Sequence, residues 1–560
     1  MGMFFNSCEE DFLNKTPEDE ISEPDFWKTE GDLELYLNGL YDVFPVWGGS
    51  GAAPSKDLGT DIVIESQEWW GGSYTAQFDG VLGVPASGGG WSWGNVRRVN
   101  YFLENADKAG TGDLIEHYIG EGYFLRAWVY FDLLSRFGDL PIITQVLNVD
   151  DTDLLYATRS PRTEVVDFIL EDLDMAISKM VVSSEAGPGR LNIDAAILFK
   201  ARVCLYEGTW EKYHEGTVFA GATNGNAYIQ EAVTAAKAVM DRGNYSLFTG
   251  NPDQVYYDMF VQIDLSDNPE VLLWKQYLAA SITESSGNSM WNHPNTQGIT
   301  HSMMQTYLCT DGLPISVSPL FEGDDSLTVV EINRDPRLKN TVMVPGDLDY
   351  VTLTGDSVLF TVPYMVRCPT GYALQKWREN VLDPNTNGRS NYVPYIYFRY
   401  AEALLIYAEA KAELGTLTQA DVDMTINLLR DRVGMPHLDI GAITVDPDWP
   451  DYGYPLTDVL YEIRRERVVE LFGEGYRYDD LMRWRAHNLF IGTRPVGTMY
   501  TDDIKEIYPN EKVNEDGFID PFRDYLNGGA YGFVETRDYL LPLPTNEITI
   551  NPNLAQNPGW

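Results

Sequence analysis

Tryptophans and glycines crowd one segment of the sequence, residues 47–93, and their chemistry is the first indication of a function. Five of the 14 tryptophans lie there among eleven glycines. Glycine-rich backbone does not hold a long helix, and such irregular segments tend to lie at the surface. Exposed flat rings can stack on the apolar faces of sugars while polar neighbours hydrogen-bond the hydroxyls. The segment therefore favours sugar binding, and the alternative is that the rings fill gaps between helices and loops. These tryptophans are Trp47, Trp69, Trp70, Trp91 and Trp93.

Sequence motifs for catalysis or metal binding are missing. There is no GxSxG elbow, no P-loop and no GxGxxG after a strand, and the six histidines form no HExxH and join no CxxC. The run DPNTNG at 383–388 begins like a calcium loop, but Pro394 stands where the loop needs a glutamate, so an Asx-rich turn is predicted. Acidic loops elsewhere could still hold calcium. We expect no zinc site, no cofactor and no enzymatic activity of the chain's own.

The charge balance is strongly acidic and limits the partners. The formal net charge is −44, from 84 acidic and 40 basic side chains. Such a surface repels phosphate backbones, so nucleic acid is not an expected partner, and it carries no basic patch for anionic lipid. Carboxylates this numerous lie close together by chance, so a glycosidase pair cannot be recognised from the sequence. A glycoside hydrolase therefore stays an alternative.

Two charged helical patterns are predicted to be structural. In EIRRERVVELFGEGYRYDDLMRW, Glu462, Glu466 and Glu470 share one helix face with arginines beside them, which predicts a salt-bridged helix surface. Arg126 and Asp132 interrupt an apolar helical pattern and are predicted to form a buried polar network.

The four cysteines do not form a disulfide framework. Cys204 lies in a helical pattern and is predicted to be a small core residue, whereas a Cys309–Cys368 bridge is left open. Cys8 follows a short apolar run and precedes three acidic residues. We predict that residues 1–7 are the tail of a signal segment and that Cys8 carries a lipid anchor. The alternative is a disordered end with an incidental free thiol. The sequence contains no run of about 18 apolar residues, so no membrane-spanning helix is predicted.

Helical periodicity dominates the remaining chain. Leu33, Leu37 and Leu40 predict the first helix, and residues 121–137 are apolar nearly all round, which predicts a buried one. Later helices come in pairs with small residues at the crossings, as in tetratricopeptide units, although the period of about 34 residues is absent. A long stretch near 245–395 reads as an irregular insert with short strands in EVLLWKQY and SVLFTVPYMV. The fold class is therefore mainly α, a helical-repeat body with an irregular insert.

The predicted organisation along the chain follows from these patterns. It comprises a signal-segment remnant (1–7), a lipidated tether (8–29), an N-terminal helical region (30–245) with the Trp/Gly-rich loop (47–93), an irregular ligand-binding lobe (246–395) and a C-terminal helical region with its tail (396–560).

Several motifs in a fixed order resemble one family along nearly the whole chain. They are CEEDFLNKTP, WGNVRRVNYFLENAD, EGYFLRAWVYFDLLSRFGDLPII, YFRYAEALLIYAEAKAELG, INLLRDRVGMP, EIRRERVVELFGEGYRYDDLMRW and the terminal YLLPLPTNEITINPNLAQNPGW. This set resembles the SusD/RagB family of surface nutrient-binding lipoproteins.

The resemblance implies a fold, a place and a partner. The fold would be a body of about four tetratricopeptide-like helix pairs, and the chain would sit on the outer face of the outer membrane, anchored through Cys8. Glu9, Glu10 and Asp11 resemble the family's surface-export signal. The chain would serve as the lid of a SusC-like TonB-dependent transporter and pass it oligosaccharides without catalysis. Some relatives take peptides, which is one alternative; a repeat scaffold with core tryptophans is another.

The resemblance also indicates candidate ligand residues. Family members often use side chains just before the WGNVRRVN helix, here Trp91, Trp93 and Asn95. Nearby in the sequence, or in the insert, are the further candidates Asp61, Trp69, Trp70, Tyr277, Trp291 and Arg367.

Overall fold

The computed structural model describes residues 26–47, 56–66, 75–278, 297–352, 354–366, 368–378 and 393–560. In these ranges the chain is mainly helical, as predicted. In chain order the helices are α1 (Glu30–Leu40), α2 (Gly94–Asn105), α3 (Asp113–Phe137), α4 (Thr152–Leu155), α5 (Arg162–Lys179), α6 (Ser183–Ala186), α7 (Ile193–Tyr213), α8 (Asn226–Arg242), α9 (Val255–Phe260), α10 (His301–Thr306), α11 (Pro336–Lys339), α12 (Tyr400–Glu413), α13 (Gln419–Asp423), α14 (Ile426–Arg432), α15 (Asp458–Glu470), α16 (Arg477–Arg483), α17 (Asp502–Ile507) and α18 (Thr545–Ile550).

The strands are short and form antiparallel pairs. The first pair joins β1 to β3, the second β2 to β6 and the third β4 to β5. The β2–β6 pair joins the two ends of the irregular stretch, so this part of the chain leaves the helical body and returns to it at one place. The strands are β1 (Val63–Glu65), β2 (Val271–Lys275), β3 (Gln297–Ile299), β4 (Leu348–Val351), β5 (Ser357–Leu359) and β6 (Tyr395–Arg399).

The helices pack in pairs: α2 with α3, α5 with α7, α8 with α12, and the short α14 with α15, on which α12 also packs. Neighbouring pairs also contact one another, since α3 packs on α5 and α7 on α8. The first helix begins with a capping box between Thr29 and Asp32 and buries Leu33, Leu37 and Leu40, as the spacing predicts. The helix α3 is buried along most of its length. The predicted tetratricopeptide-like body is confirmed.

Glycines allow the neighbouring helices to pack closely on α3. A Cβ atom added at Gly122 of α3 would stand 2.7 Å from the ring of Phe102 on α2. At Gly120, two residues earlier and on nearly the opposite side of α3, it would stand 2.7 Å from Met180, just after α5. Any larger side chain at these positions would push the neighbouring helices off α3.

The charged helix α15 is ion-paired as predicted, but its expected surface position is wrong. The side chains of Glu462, Glu466 and Glu470 are all buried. Glu466 accepts from Arg337 of the irregular stretch at 2.6 Å, and Glu470 accepts from Arg432 of α14 at 2.6 Å. The carboxylates are buried because arginines from distant parts of the chain converge on them and compensate their charge.

The remaining predictions concern a buried charged pair, the cysteines and membrane spans. Arg126 is buried and pairs with Asp172, as predicted, but Asp132 is 57% exposed and pairs with Arg136, because it lies on the opposite side of α3. Cys204 is buried as predicted. Cys309 and Cys368 are both free, so the bridge left open does not form. Within the described ranges no helix combines the length and apolarity needed to cross a membrane.

Candidate functional site

A cavity of about 750 Å³ lies where the two helical halves of the molecule meet. Its walls come from the start of α2, from one side of α3 and α7, from β6, and from α16 with the loop before it. The segments 43–46 and 77–82 complete it. A volume of this size is in the usual range for small-molecule sites.

One wall is aromatic. Trp128 of α3 is half-buried, lines the cavity and packs against Phe44, with ring centroids 4.9 Å apart. Phe44 in turn lies 4.9 Å from Tyr397 of β6, whose ring is 4.9 Å from Tyr395. Phe44, Tyr395 and Tyr397 are themselves buried, so Trp128 is the ring of this group on which the flat face of a ligand can stack.

Polar side chains also line the cavity. Ser92 and Asn95 lie at the start of α2 and are exposed. Asn95 already accepts one hydrogen bond from Arg98 at 3.1 Å, which leaves its amide NH₂ available to a ligand. Asp132 and Arg136 lie on the same side of α3 as Trp128, at intervals of four residues. Hydroxyl groups of a ligand would find both donors and acceptors here.

A buried carboxylate positions the loop that closes one end of the cavity. Asp57 is 1% exposed and accepts the backbone N–H groups of Gly475 at 3.0 Å and Arg477 at 2.9 Å. Burial raises the pKa of Asp57 to about 7, although these two hydrogen bonds oppose the rise. Because Asp57 docks the loop on the start of α16, the adjacent Lys56 reaches Asp479 at 2.6 Å.

Of the sequence-predicted ligand residues, Asn95 lines the cavity. Trp93 is half-buried at the N-terminus of α2. Trp91 is only 6% exposed and packs on Phe137 with centroids 5.0 Å apart, so the expectation of an open ring is wrong for this residue. Trp47 of the same segment is also buried, beside Trp377.

Two other candidates are already engaged. The carboxylate of Asp61 is held by Arg477 through two hydrogen bonds, of 2.8 and 2.5 Å. Tyr277 is buried, and its hydroxyl accepts the backbone N–H of Trp47 at 3.3 Å. Neither side chain lines the cavity. The remaining candidates lie outside the described residues: Cys8, Trp69, Trp70, Trp291 and Arg367, together with the 383–388 turn.

Sequence reasoning missed most of the cavity wall. Trp128 belongs to a helix that reads as apolar nearly all round, and Tyr397 and Asp479 lie in segments with no binding pattern. One signal was available: Asp132 and Arg136 are polar breaks in the apolar run of α3, spaced four residues apart on the same face as Trp128. They mark the strip of α3 that faces an opening instead of the core.

No three His, Cys, Asp or Glu side chains come together in a group that could hold a metal ion, as far as the structure describes the chain.

Two family models match the chain. The model described as "SusD family" matches residues 273–560. The chain belongs to the SusD family. A second model, described as "Starch-binding associating with outer membrane", matches residues 91–205, which include the start of α2 and one side of α3 and α7. The predicted family is thus confirmed over more than half of the sequence.

Relatives of this SusD-family chain extend over most of its length. A SusD-like protein of Formosa agariphila is 25% identical over 510 residues, which are 85% of this chain and 88% of that protein. Among solved structures, a SusD-like carbohydrate binding protein from Bacteroides fragilis has a TM-score of 0.74 at 22% identity, covering 95% of this chain and all of the other. A laminarin binding SusD-like protein has a TM-score of 0.57 at 19% identity, with 95% and 100% coverage. These structures share the fold of this chain.

Proposed function

We propose that this SusD-family protein captures oligosaccharides at the cell surface and passes them to a SusC-like TonB-dependent transporter, for which it acts as a lid. One observation carries the proposal. The stretch matched by the starch-binding family model, residues 91–205, supplies both the polar Asn95 and the aromatic Trp128 that line the cavity. The proposal includes a lipid anchor at Cys8 in the outer membrane and no catalysis.

The mechanism follows from these side chains. A sugar ring lies with its apolar face toward Trp128, while its hydroxyls bond Asn95 and Ser92. Binding is of modest affinity, because every ordered sugar costs entropy and the cargo has to be released. Lid opening is a hinge motion of the whole body.

The test is calorimetric titration of the protein with a panel of oligosaccharides and mixed peptides. We expect heat from one glycan class and none from peptides. The variant Asn95→Ala removes exposed polar atoms from the cavity without touching the core, and we expect it to weaken the glycan about five- to thirtyfold, as the loss of one or two hydrogen bonds does.

A matched control exists in the same fold. Asn226 is likewise exposed in the first turn of a long helix, α8, but lies outside the cavity. Asn226→Ala should leave the affinity unchanged. If the Asn95→Ala variant and the wild type bind the glycan with equal affinity, the sugar does not bind in the cavity. Heat from peptides alone would favour the peptide-binding alternative, and reducing ends released from polysaccharide would favour a glycoside hydrolase.

A further inference from the structure

The charged side chains that line the cavity indicate which class of sugar it can bind. Among the described residues that line it, five are cationic, and each is paired with a carboxylate. The pairs are Lys56 with Asp479, Arg136 with Asp132, Arg202 with Glu402, Arg467 with Asp480, and Arg483 with Glu409.

The two outer pairs are the ones that a ligand would meet. Lys56 donates to Asp479 at 2.6 Å, and Arg136 is hydrogen-bonded to Asp132 within α3. Both cations are partly exposed, so their charges are reachable from solvent. Each nevertheless has a carboxylate in contact, so the field of each cation is largely cancelled where a ligand would lie.

The third cation is held more tightly. Arg202 of α7 donates to Glu402 at 2.6 and 2.8 Å and to the hydroxyl of Tyr476 at 2.8 Å. Its guanidinium also lies 4.3 Å from the ring centroid of Phe398. Its planar donor fork is therefore occupied by a bidentate partner, which is the arrangement that a carboxylate or sulfate ligand would itself need.

An anionic sugar would gain little in such a cavity. It would have to separate an existing ion pair, or bind beside a neutral pair and leave its own charge without a partner, and either choice costs desolvation energy. The net charge of −44 repels a polyanion before it arrives. A neutral sugar meets none of these costs, because hydroxyls can bond to Asn95 and to carboxylates that stay paired.

We infer that the cavity selects uncharged oligosaccharides and rejects uronic-acid and sulfated ones. This inference rests on the proposed function and specifies its cargo. Cations do line the cavity, but each is paired with a carboxylate, and this pairing would cause the rejection of anionic sugars. Neutralising one of the carboxylates should therefore create affinity for anionic sugars.

The experiment compares hexasaccharides by calorimetric titration. The neutral set is maltohexaose, laminarihexaose, cellohexaose and mannohexaose, and the anionic set is hexagalacturonate, hexamannuronate and a sulfated galactan hexamer. We expect binding of at least one neutral sugar, unchanged between about 50 and 500 mM NaCl, and no measurable binding of the anions. Asp479→Asn, which frees Lys56, should bind the galacturonate hexamer measurably, at least about tenfold more tightly than the weakest affinity the titration can detect.

A second variant and a control complete the design. Asp132→Asn frees Arg136 on an exposed strip of α3 and should also gain affinity for the anion, so the test does not depend on one variant folding. Asp174→Asn makes the same charge change at an exposed site outside the cavity, beside Lys200, and should gain nothing.

The outcomes separate the two proposals. A wild-type protein that binds an anionic hexamer as tightly as any neutral one overturns the charge selectivity and leaves glycan capture standing. The selectivity argument is equally overturned if both Asp→Asn variants fold and gain no affinity for anions. Failure of every hexasaccharide, neutral and anionic, to bind would overturn the proposed function itself.

Discussion

Glu409 of α12 is the carboxylate whose removal should be most informative about how the cavity is supported. It is fully buried, and its Oε1 accepts from Arg483 at 2.6 Å and from the indole of Trp484 at 2.8 Å. Its Oε2 accepts from Arg483 at 2.9 Å. Arg483 lines the cavity, so this pair ties the cavity wall to the helical body. We predict that Glu409→Gln destabilises the protein.

The magnitude follows from the ion pair that Glu409 makes in the core. Removing one partner of a buried ion pair costs roughly 3–5 kcal/mol, because the other charge stays buried. The pKa of Glu409 agrees in direction: burial raises it, but the charges of Arg483, Arg467 and Arg464 and the hydrogen bonds from Arg483 outweigh burial and lower it from 4.5 to about 2. Because the folded-state pKa is depressed, the stability that this ion pair contributes is fully present above pH 4.5, the value in the unfolded chain, and is lost as the pH falls toward about 2.

The assay is urea unfolding followed by tryptophan fluorescence at several pH values. At pH 7 we expect the variant to lose roughly 3–5 kcal/mol, and below about pH 4.5 we expect its stability to fall less steeply than that of the wild type. Asp174→Asn is the matched control, since its carboxylate is 60% exposed and its pair with Lys200 should be worth less than about 1 kcal/mol. A loss below about 1 kcal/mol for Glu409→Gln, or an acid profile identical to the wild type, would refute the reasoning.

Two further predictions concern packing. Gly122→Ala should cost about 1–3 kcal/mol of stability, because the new methyl group meets the Phe102 ring. Gly39→Ala, in a helical site with no atom nearby, should be neutral or stabilising by up to about 1 kcal/mol. Thermal unfolding measures both variants, and equal shifts in Tm would contradict the argument that Gly122 allows close helix packing. Trp91→Ala should lower the free energy of unfolding by roughly 3–5 kcal/mol and Trp93→Ala by clearly less, because only Trp91 is fully packed; a larger loss for Trp93 in urea titration would show that the burial difference does not govern stability.

The sequence alone determined the fold class, the family and many of the elements. The spacing of Leu33, Leu37 and Leu40 predicts which face of α1 is buried, and the apolar residues of α3 predict a helix inside the body. These predictions hold because helical periodicity is a local property, readable within a few turns. The short strands at 271–275 and 357–359 lie in stretches that were predicted to contain strands, which is also a local pattern.

Only the tertiary structure decided which side chains are exposed and which of them meet. The carboxylates of α15 read as a solvated face and are buried, because Arg337 comes from a segment more than one hundred residues away. Trp91 was predicted to be an open ring, but Phe137 at the end of α3 covers it. The cavity brings together Asn95 of α2, Trp128 of α3 and Asp479 of α16, and no local sequence pattern predicts that they line one cavity. Burial and ion pairing depend on partners brought together by packing, which is why they could not be read from the order of the residues.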